Sequence, residues 1–305
     1  MFFFEGYTFE SILVAFAVLA ALILLNEIAR RNKYFSIVFF IIVPLVFTIA
    51  VWPKTAGSGT DAGYWFAWVK TYSVLAGVIG FMAFRYIKRL ENNKIIMLFP
   101  AFILGINILE AVIRDFECYG MNTIENGLTL IGGPWNIING IAGILSILTM
   151  TGLLGLKIAK TKSKDMIWPD LLWFWIIAYD LWNMSYLYNC VSDRSFYAGF
   201  VLLAACTIPA FFIRKGAWLQ HRANTLALFA MFSLTFSYGK SELFSITSTH
   251  NESAMLILSI LAIIANVAVL TFEIYRIVKT RRNPITSDLY TDLKSYKTIL
   301  AENQL

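Results

Sequence analysis

The sequence predicts an all-α, polytopic membrane protein with about nine transmembrane helices, and three observations carry this prediction. Hydrophobic residues make up 58% of the 305-residue chain and charged residues only 14%, far from the usage of soluble globular domains. Nine apolar stretches approach the roughly 20 residues that a helix needs to cross a bilayer. Positively charged residues gather on alternate sides of these stretches.

The nine predicted spans take up most of the chain and leave no room for a soluble domain. In chain order they are Glu10 to Ala29, Tyr34 to Trp52, Gly63 to Tyr86, Ile95 to Ile113, Pro134 to Leu156, Ile167 to Tyr188, Phe196 to Ile213, Ala217 to Tyr238 and Ser253 to Ile277. The eighth is the least apolar, since its uninterrupted stretch runs only from Ala223 to Ser237. The charge pattern supports this eighth span, because with one crossing fewer the basic residues from Arg276 onward would face outside. We expect one transmembrane domain over residues 1–280 and a tail over 281–305.

Charge placement predicts the orientation of the spans. Of the 25 Lys and Arg residues, 20 fall in five segments that lie on one side of the membrane if the chain crosses nine times. These segments are Arg30 to Lys33, Arg85 to Lys94, Lys157 to Lys164, Arg214 to Arg222 and everything from Arg276 onward. We expect the N-terminus outside and the C-terminus in the cytoplasm. Anionic lipid headgroups explain the net charge of +6, so no nucleic-acid partner is expected.

The tail is polar but keeps an apolar stripe at helical spacing. Its members are Leu289, Leu293, Tyr296 and Leu300. Ser287 precedes them as a capping residue, which predicts a cytoplasmic amphipathic helix. This helix either lies on the membrane surface or packs under the bundle.

Two of the three cysteines, Cys118 and Cys190, map to external loops, whereas Cys206 lies within the seventh span. A disulfide between Cys118 and Cys190 requires an oxidising exterior and Cα atoms within about 7 Å of each other. The alternative is two unpaired small residues near the membrane surface.

Ionisable residues within a span usually face the protein interior, because exposing them to lipid costs several kcal/mol. Lys70, in the third span, either points inward or extends its side chain to the headgroups. In the fourth span Asn107, Glu110 and Arg114 share one face. Glu110 therefore either pairs with Arg114 on the same helix or reaches Lys70 on a neighbouring one.

Polar residues also line the fifth and sixth spans. Asn136 and Asn139 either orient a solute or form hydrogen bonds between helices, which is the commoner use of asparagine in membranes. Asp180 lies about two turns from the external end of its span, with Asn183 on the same face and Trp182 among the flanking rings. A carboxylate with aromatic neighbours can bind an organic cation or carry a proton. Alternatively, the rings mark the membrane interface and Lys70 neutralises Asp180.

This chain lacks the residues that several classes of membrane protein and enzyme require. Its two histidines, His221 and His250, map to opposite sides of the predicted membrane, so an intramembrane zinc hydrolase cannot be assembled. The ninth span has no lysine for a retinal Schiff base. The chain also lacks a Walker motif, a dinucleotide-binding glycine pattern and a nucleophile elbow. The sequence therefore predicts no metal and no cofactor, and it favours a non-enzymatic role.

Three runs of sequence carry a resemblance to a family. They are GGPWNIINGIAGIL from Gly132 to Leu145, MIWPDLLWFWIIAYDLWN from Met166 to Asn183, and IPAFFIRKGAWLQHR from Ile208 to Arg222. Over nearly its whole length, the chain resembles a family of bacterial multispanning proteins that is known only as a domain of unknown function. The resemblance implies a multi-pass protein of the bacterial cytoplasmic membrane and transfers no catalytic or binding residue.

The polar residues predict a transporter or permease for a small solute, with proton coupling as an option. In this hypothesis Lys70, Glu110 and Asp180 converge in an outward-facing cavity, where the carboxylates exchange a proton or bind a cationic group. The other members of the predicted site are Asn107, Asn136, Asn139, Asn183 and Trp182. The alternative is a ligand-binding sensor or assembly protein that reports to the tail. A third option is an intramembrane transferase acting on lipid-linked substrates.

Overall fold

The computed structural model describes residues 2–91, 93, 95–125 and 127–305. Lys94, which closes the second predicted basic segment, lies outside the described residues. The long helices are α1 (Phe9–Arg31), α2 (Lys33–Ala50), α3 (Trp65–Tyr86), α4 (Ile96–Cys118), α5 (Pro134–Leu148), α6 (Trp173–Cys190), α7 (Phe196–Phe212), α8 (Trp218–Thr235), α9 (Glu252–Thr280) and the tail helix α10 (Lys294–Glu302). Single helical turns at Trp52–Thr55, Asp61–Gly63, Lys88–Glu91, Ser192–Arg194, Tyr238–Lys240 and Glu242–Phe244 lie in the connections.

The helices differ in how well they suit a bilayer. Within the described ranges, five are long and apolar enough to cross a membrane, namely α1, α2, α3, α4 and α9. Helices α5 and α7 are apolar but shorter. Helices α6 and α8 have 18 residues each and carry many buried polar side chains. The fold is thus helical and contains helices of the membrane-spanning type.

A helix lies in each predicted span, and two of the helices differ most from the predicted bounds. Helix α5 ends at Leu148 instead of Leu156, and α6 begins at Trp173 instead of Ile167. The residues between them form a non-helical segment that carries a short hairpin. The apolar stretches predicted the positions of the helices, but not the end of α5 or the beginning of α6.

Local backbone chemistry explains the non-helical segment. Helix α5 ends at Leu148, and Gly152 follows with a φ of +61°, a left-handed conformation that glycine adopts at little cost. Pro169 disfavours helical geometry at the residue before it. Between them, β4 (Lys157–Ile158) and β5 (Met166–Ile167) pair antiparallel.

Several helix ends are fixed by side-chain caps. Thr8 and Ser11 form a reciprocal capping box at the start of α1, with bonds of 3.0 and 2.9 Å. Asn32 caps α2, and Asn251 caps α9, each by accepting hydrogen bonds from two backbone N–H groups. Arg281 ends α9 in the left-handed conformation, with a φ of +54°.

Two further strand pairs lie at the opposite end of the molecule from the β4–β5 hairpin. In the connection between α4 and α5, β2 (Asn122–Glu125) and β3 (Leu128–Ile131) form a hairpin. Near the N-terminus, β1 (Phe4–Glu5) pairs antiparallel with β6 (Thr247–Ser248), which lies just before α9. The connection between α4 and α5 and the connection before α9 thus each contain strand structure.

The buried apolar side chains separate the helices into two groups. One cluster is built mainly from α1, α2, α3, α7 and α8, which we name the first helix group. The other is built mainly from α4, α5, α6 and α9, the second helix group. The groups meet where α3 faces α4 and where α6 faces α7 and α8.

At the end of the molecule that carries the β4–β5 hairpin, the carboxylate of Asp165 is fully buried among cationic and polar groups. Its neighbours are Arg30 Nη1 at 2.7 Å, Arg214 Nε at 3.2 Å, Arg85 Nη2 at 4.0 Å, Ser163 Oγ at 2.6 Å and Gln220 Nε2 at 3.1 Å. Burial would raise the pKa of Asp165, but Arg30, Ser163 and Arg85 outweigh it and hold that pKa below its ordinary value. The carboxylate therefore joins α1, α3, α8 and the hairpin in its charged form.

The tail packs under the helices. The Asp170 carboxylate, just before α6, accepts hydrogen bonds from the backbone N–H groups of Leu289 and Tyr290 at 2.8 and 2.9 Å. Farther along, Asn303 Nδ2 donates to the backbone carbonyl of Lys215 at 3.0 Å. Helix α10 begins later than the sequence predicts, because the backbone of Leu289 and Tyr290 bonds to Asp170 in a non-helical segment.

We expect Asp165→Asn to lower the free energy of unfolding by about 3 kcal/mol or more, because it leaves buried arginines without their counter-charge. Thermal unfolding in detergent measures the change. Glu302→Gln is the matched control, since its 2.6 Å pair with Lys215 is 41–43% exposed and such pairs contribute at most about 1 kcal/mol. Equal losses in the two variants would contradict a central role for Asp165.

Candidate functional site

Lys70 on α3 and Glu110 on α4 form an ion pair that joins the two helix groups. The Lys70 Nζ also lies 5.7 Å from the centre of the Phe66 ring. The two charged side chains are 26% and 23% exposed, so this pair is only partly buried between the helices. Of the alternatives left open by the sequence, the structure has Lys70 pointing to a neighbouring helix.

The remaining polar residues of α4 do not join this pair. Arg114 binds Glu117, at 3.2 Å, and Glu125 of the β2–β3 hairpin. Pairing between Arg114 and Glu110 within the helix is therefore not what the structure has. Asn107 donates to the backbone carbonyl of Ile103 at 2.8 Å, a bond within its own helix.

Asp180 on α6 lies apart from Lys70 and Glu110 and has a different partner. Thr207 on α7 donates to Asp180 Oδ2 at 2.7 Å, and Thr207 itself accepts a bond from Trp218 Nε1 at 3.2 Å. Within the described ranges, Asp180 Oδ1 is buried and has no hydrogen-bond partner. Neutralisation of Asp180 by Lys70 was the wrong expectation, because each side chain binds another helix.

Arg222 on α8 completes the contact between the groups. It is 6% exposed, and its Nη2 donates to Asn183 Oδ1 of α6 at 3.1 Å. Its guanidinium also lies beside the phenol of Tyr179 and at longer range from Asp180. Two of its N–H groups, at Nε and Nη1, are buried without a hydrogen-bond partner in the part of the chain that the structure describes.

We name these residues the polar seam, because each links one helix group to the other. Its members are Lys70, Glu110, Asp180, Asn183, Thr207 and Arg222. An unpaired donor or acceptor in a dry interior costs roughly 1–3 kcal/mol, and more when it is charged. The unpaired donors of Arg222 and the unpaired Oδ1 of Asp180 therefore carry a free-energy cost that a bound polar group would remove.

Aromatic rings surround the seam on the α6 side. Tyr179 stacks on Trp175, with centroids 5.5 Å apart, and meets Trp218 edge-on at 4.8 Å. Trp182, another predicted site residue, is buried and packs against Gly143 of α5, so it faces away from the seam. The rings keep water from Arg222 and raise the strength of any charge interaction there.

Asn136 and Asn139 belong to a separate cluster. Both donate to the buried carboxylate of Asp115, at 3.3 and 2.7 Å. Cys190 also donates to Asp115, at 3.4 Å. The asparagines thus serve contacts between α4 and α5 and are not near Asp180. Of the two roles considered from the sequence, the structure has these asparagines in hydrogen bonds between helices.

The predicted cysteine pair is not a disulfide in this structure. Cys118 and Cys190 are free, buried thiols, and they lie beside one another at the end of α4 and α6. Cys206 is likewise a free, buried thiol.

A lateral groove opens between α6, α7, α9 and the start of α10. It has a volume of about 920 Å³ and is lined mostly by apolar side chains. Ile176 and Phe211 line it, and they lie one helical turn from Asp180 and Thr207 respectively. The sequence did not predict this groove, since it depends on how three helices diverge.

A family model described as a family of unknown function, DUF5692, matches residues 5–302. The chain belongs to this family. The resemblance predicted from the sequence is confirmed at that level. No curated protein and no solved structure matches the chain.

This DUF5692 member also has interior polar residues outside the site predicted from the sequence. The sequence marked Arg222 as the last residue of a basic cytoplasmic segment, although α8 carries the polar run Gln220, His221, Arg222 and Asn224. Polar residues in such density on a buried helix indicate internal contacts. His221 binds Asn26 of α1 at 2.8 Å, and no group of three or more metal-ligating residues occurs in the described ranges.

We expect Lys70 and Glu110 to be coupled by about 1 kcal/mol or more in a double-mutant cycle of Lys70→Gln, Glu110→Gln and the double variant, because they contact each other directly. Chemical unfolding in detergent gives the four free energies. Lys215 and Glu302 provide the control cycle, which should give a smaller coupling because that pair is more exposed. Equal coupling in both cycles would show that the inter-helix pair adds no rigidity.

Proposed function

We propose that this DUF5692 member is a transporter for a small solute that carries an anionic group. The observation that carries the proposal is the buried guanidinium of Arg222 at the junction of the two helix groups, whose Nε and Nη1 have no hydrogen-bond partner among the described residues. A buried guanidinium with unpaired N–H donors favours an anionic partner such as a carboxylate or phosphate. This differs from the cationic group considered from sequence, because Arg222 takes the central place assigned there to Lys70.

The proposal includes nine membrane crossings with the N-terminus outside and the C-terminus in the cytoplasm. Three basic residues, Arg30, Arg85 and Arg214, surround Asp165 at one end of the molecule, and the tail packs at that same end. The positive-inside rule assigns this end to the cytoplasm. The localisation that we propose is the bacterial cytoplasmic membrane.

The arrangement supports transport because polar contacts lie between helix groups and not within them. Transporters commonly bind their substrate between two bundles that move against one another. In our proposal, the Lys70–Glu110 pair closes the outer side, and the solute binds to Arg222 and Asn183. The carboxyl of Asp180 is the candidate for proton coupling, since its free Oδ1 lies near the guanidinium.

We expect purified protein in liposomes to produce transport currents on solid-supported membranes with at least one of acetate, succinate, glutamate, glycine or phosphate. Arg222→Gln should lower the current at least about tenfold, or about 1.4 kcal/mol. Arg281→Gln is the control, because Arg281 is an exposed arginine outside the seam. Asp180→Asn should remove the dependence of the current on a proton gradient.

Two results would contradict the proposal. One is the absence of current for the whole panel under both proton and sodium gradients. The other is a current that Arg222→Gln leaves unchanged while its unfolding temperature shows a folded protein. Arg222→Lys keeps the charge and loses the planar guanidinium, so it separates solute recognition from folding.

A sensor is the second candidate, and the contact between Asp170 and the tail favours it. Asp170 lies just before α6, the helix that carries Asp180 and Asn183, and it holds the backbone of Leu289 and Tyr290. A movement of α6 would therefore reach the tail directly. Solute binding without flux, together with altered hydrogen exchange in α10, would select the sensor.

A further inference from the structure

The lateral groove has the size and shape of a ligand site. Its volume of about 920 Å³ falls within the range of ligand pockets in proteins, roughly 300–1,000 Å³. The groove is open at the side of the helices, between α7 and α9, with α6 at its base. It therefore faces the surroundings of the bundle and not its interior.

Small side chains create the groove, and apolar ones cover it. Ala178 on α6, Ala210 on α7, and Ala265 and Ala268 on α9 all line it. The lining from Ala265 to Phe272 rises about 10 Å along α9. Alanines leave room that larger residues would fill, so the walls accept a long hydrocarbon chain.

The mouth of the groove is cationic and polar. Lys215, Lys294, Ser295 and Thr298 line the end next to α10. Lys215 forms an ion pair with Glu302, whereas Lys294 has no ion pair within the described residues. Helix α10 starts at Lys294 without a side-chain cap, so the N–H groups of its first turn remain available to an anion.

The geometry points to a binding site for one anionic phospholipid. An acyl chain would lie along α6, α7 and α9, and the phosphate would be held by Lys294, Ser295 and Lys215 at the start of α10. The apolar walls exclude a free phosphate as the sole occupant, and the lysines favour an anionic headgroup over a zwitterionic one. Such a lipid would tie the tail helix to α6 and α9.

Native mass spectrometry of the detergent-purified full chain tests the proposal. The probes are phosphatidylglycerol and phosphatidylcholine with the same acyl chains. We expect the chain to retain phosphatidylglycerol preferentially. Lys294→Gln should reduce that preference about fivefold, the size expected for one lysine near an anionic headgroup. Lys297→Gln is the matched control, because Lys297 is an exposed lysine on the same helix outside the groove.

A second pair of variants tests the groove itself. Ala268→Trp should fill it and abolish retention of both lipids, whereas Val267→Trp, on an exposed neighbouring position, should not. Ala268→Leu is the milder filling variant if the tryptophan disturbs folding. Equal retention of both lipids in the wild type, or retention unchanged by both filling variants, would overturn the proposal. So would a concentration-dependent dimer that Ala268→Leu abolishes, since the groove would then hold a second copy of the chain.

Discussion

The buried carboxylate of Asp165 is the interaction on which the arrangement of the helices depends. Helices surrounded by lipid gain little from hydrophobic association with each other, so polar contacts and close packing decide how they meet. Asp165 gathers Arg30 from α1, Arg85 from α3 and Arg214 from the link before α8. These arginines are far apart in the chain, and a single negative charge holds all three. One end of the molecule is thereby fixed.

Toward the opposite end, the two helix groups meet through the partly exposed pair of Lys70 and Glu110 and through the pairing of β1 with β6. Between the two ends lies Arg222, which the fold buries without a carboxylate in direct contact. Two helix groups that meet through polar contacts, with an unsatisfied guanidinium between them, are suited to opening and closing around a bound group. This is the physical basis for the transport proposal.

The sequence predicted the helices well because apolar stretches and basic flanks are local properties. It could not predict which partner each polar residue takes. Glu110 had two candidates, and only the packing of α3 on α4 selects Lys70 over Arg114. Asp165 looked like an ordinary loop residue among lysines, yet the hairpin carries it under the helices. Arg222 was undervalued because closeness to a helix end in sequence does not reveal how deeply that helix is buried.

The pairing of β1 with β6 has a consequence for biogenesis. Phe4 and Ser248 are partners in this small sheet, although almost the whole chain separates them. At a synthesis rate of about 5–20 residues per second, the N-terminal strand waits roughly 10 to 50 s for its mate to leave the ribosome. During that delay the first helix must stay inserted without the β1–β6 pairing. The β1–β6 pair consequently forms late in assembly, and a nascent protein stalled before that point would expose β1 as an unpaired strand.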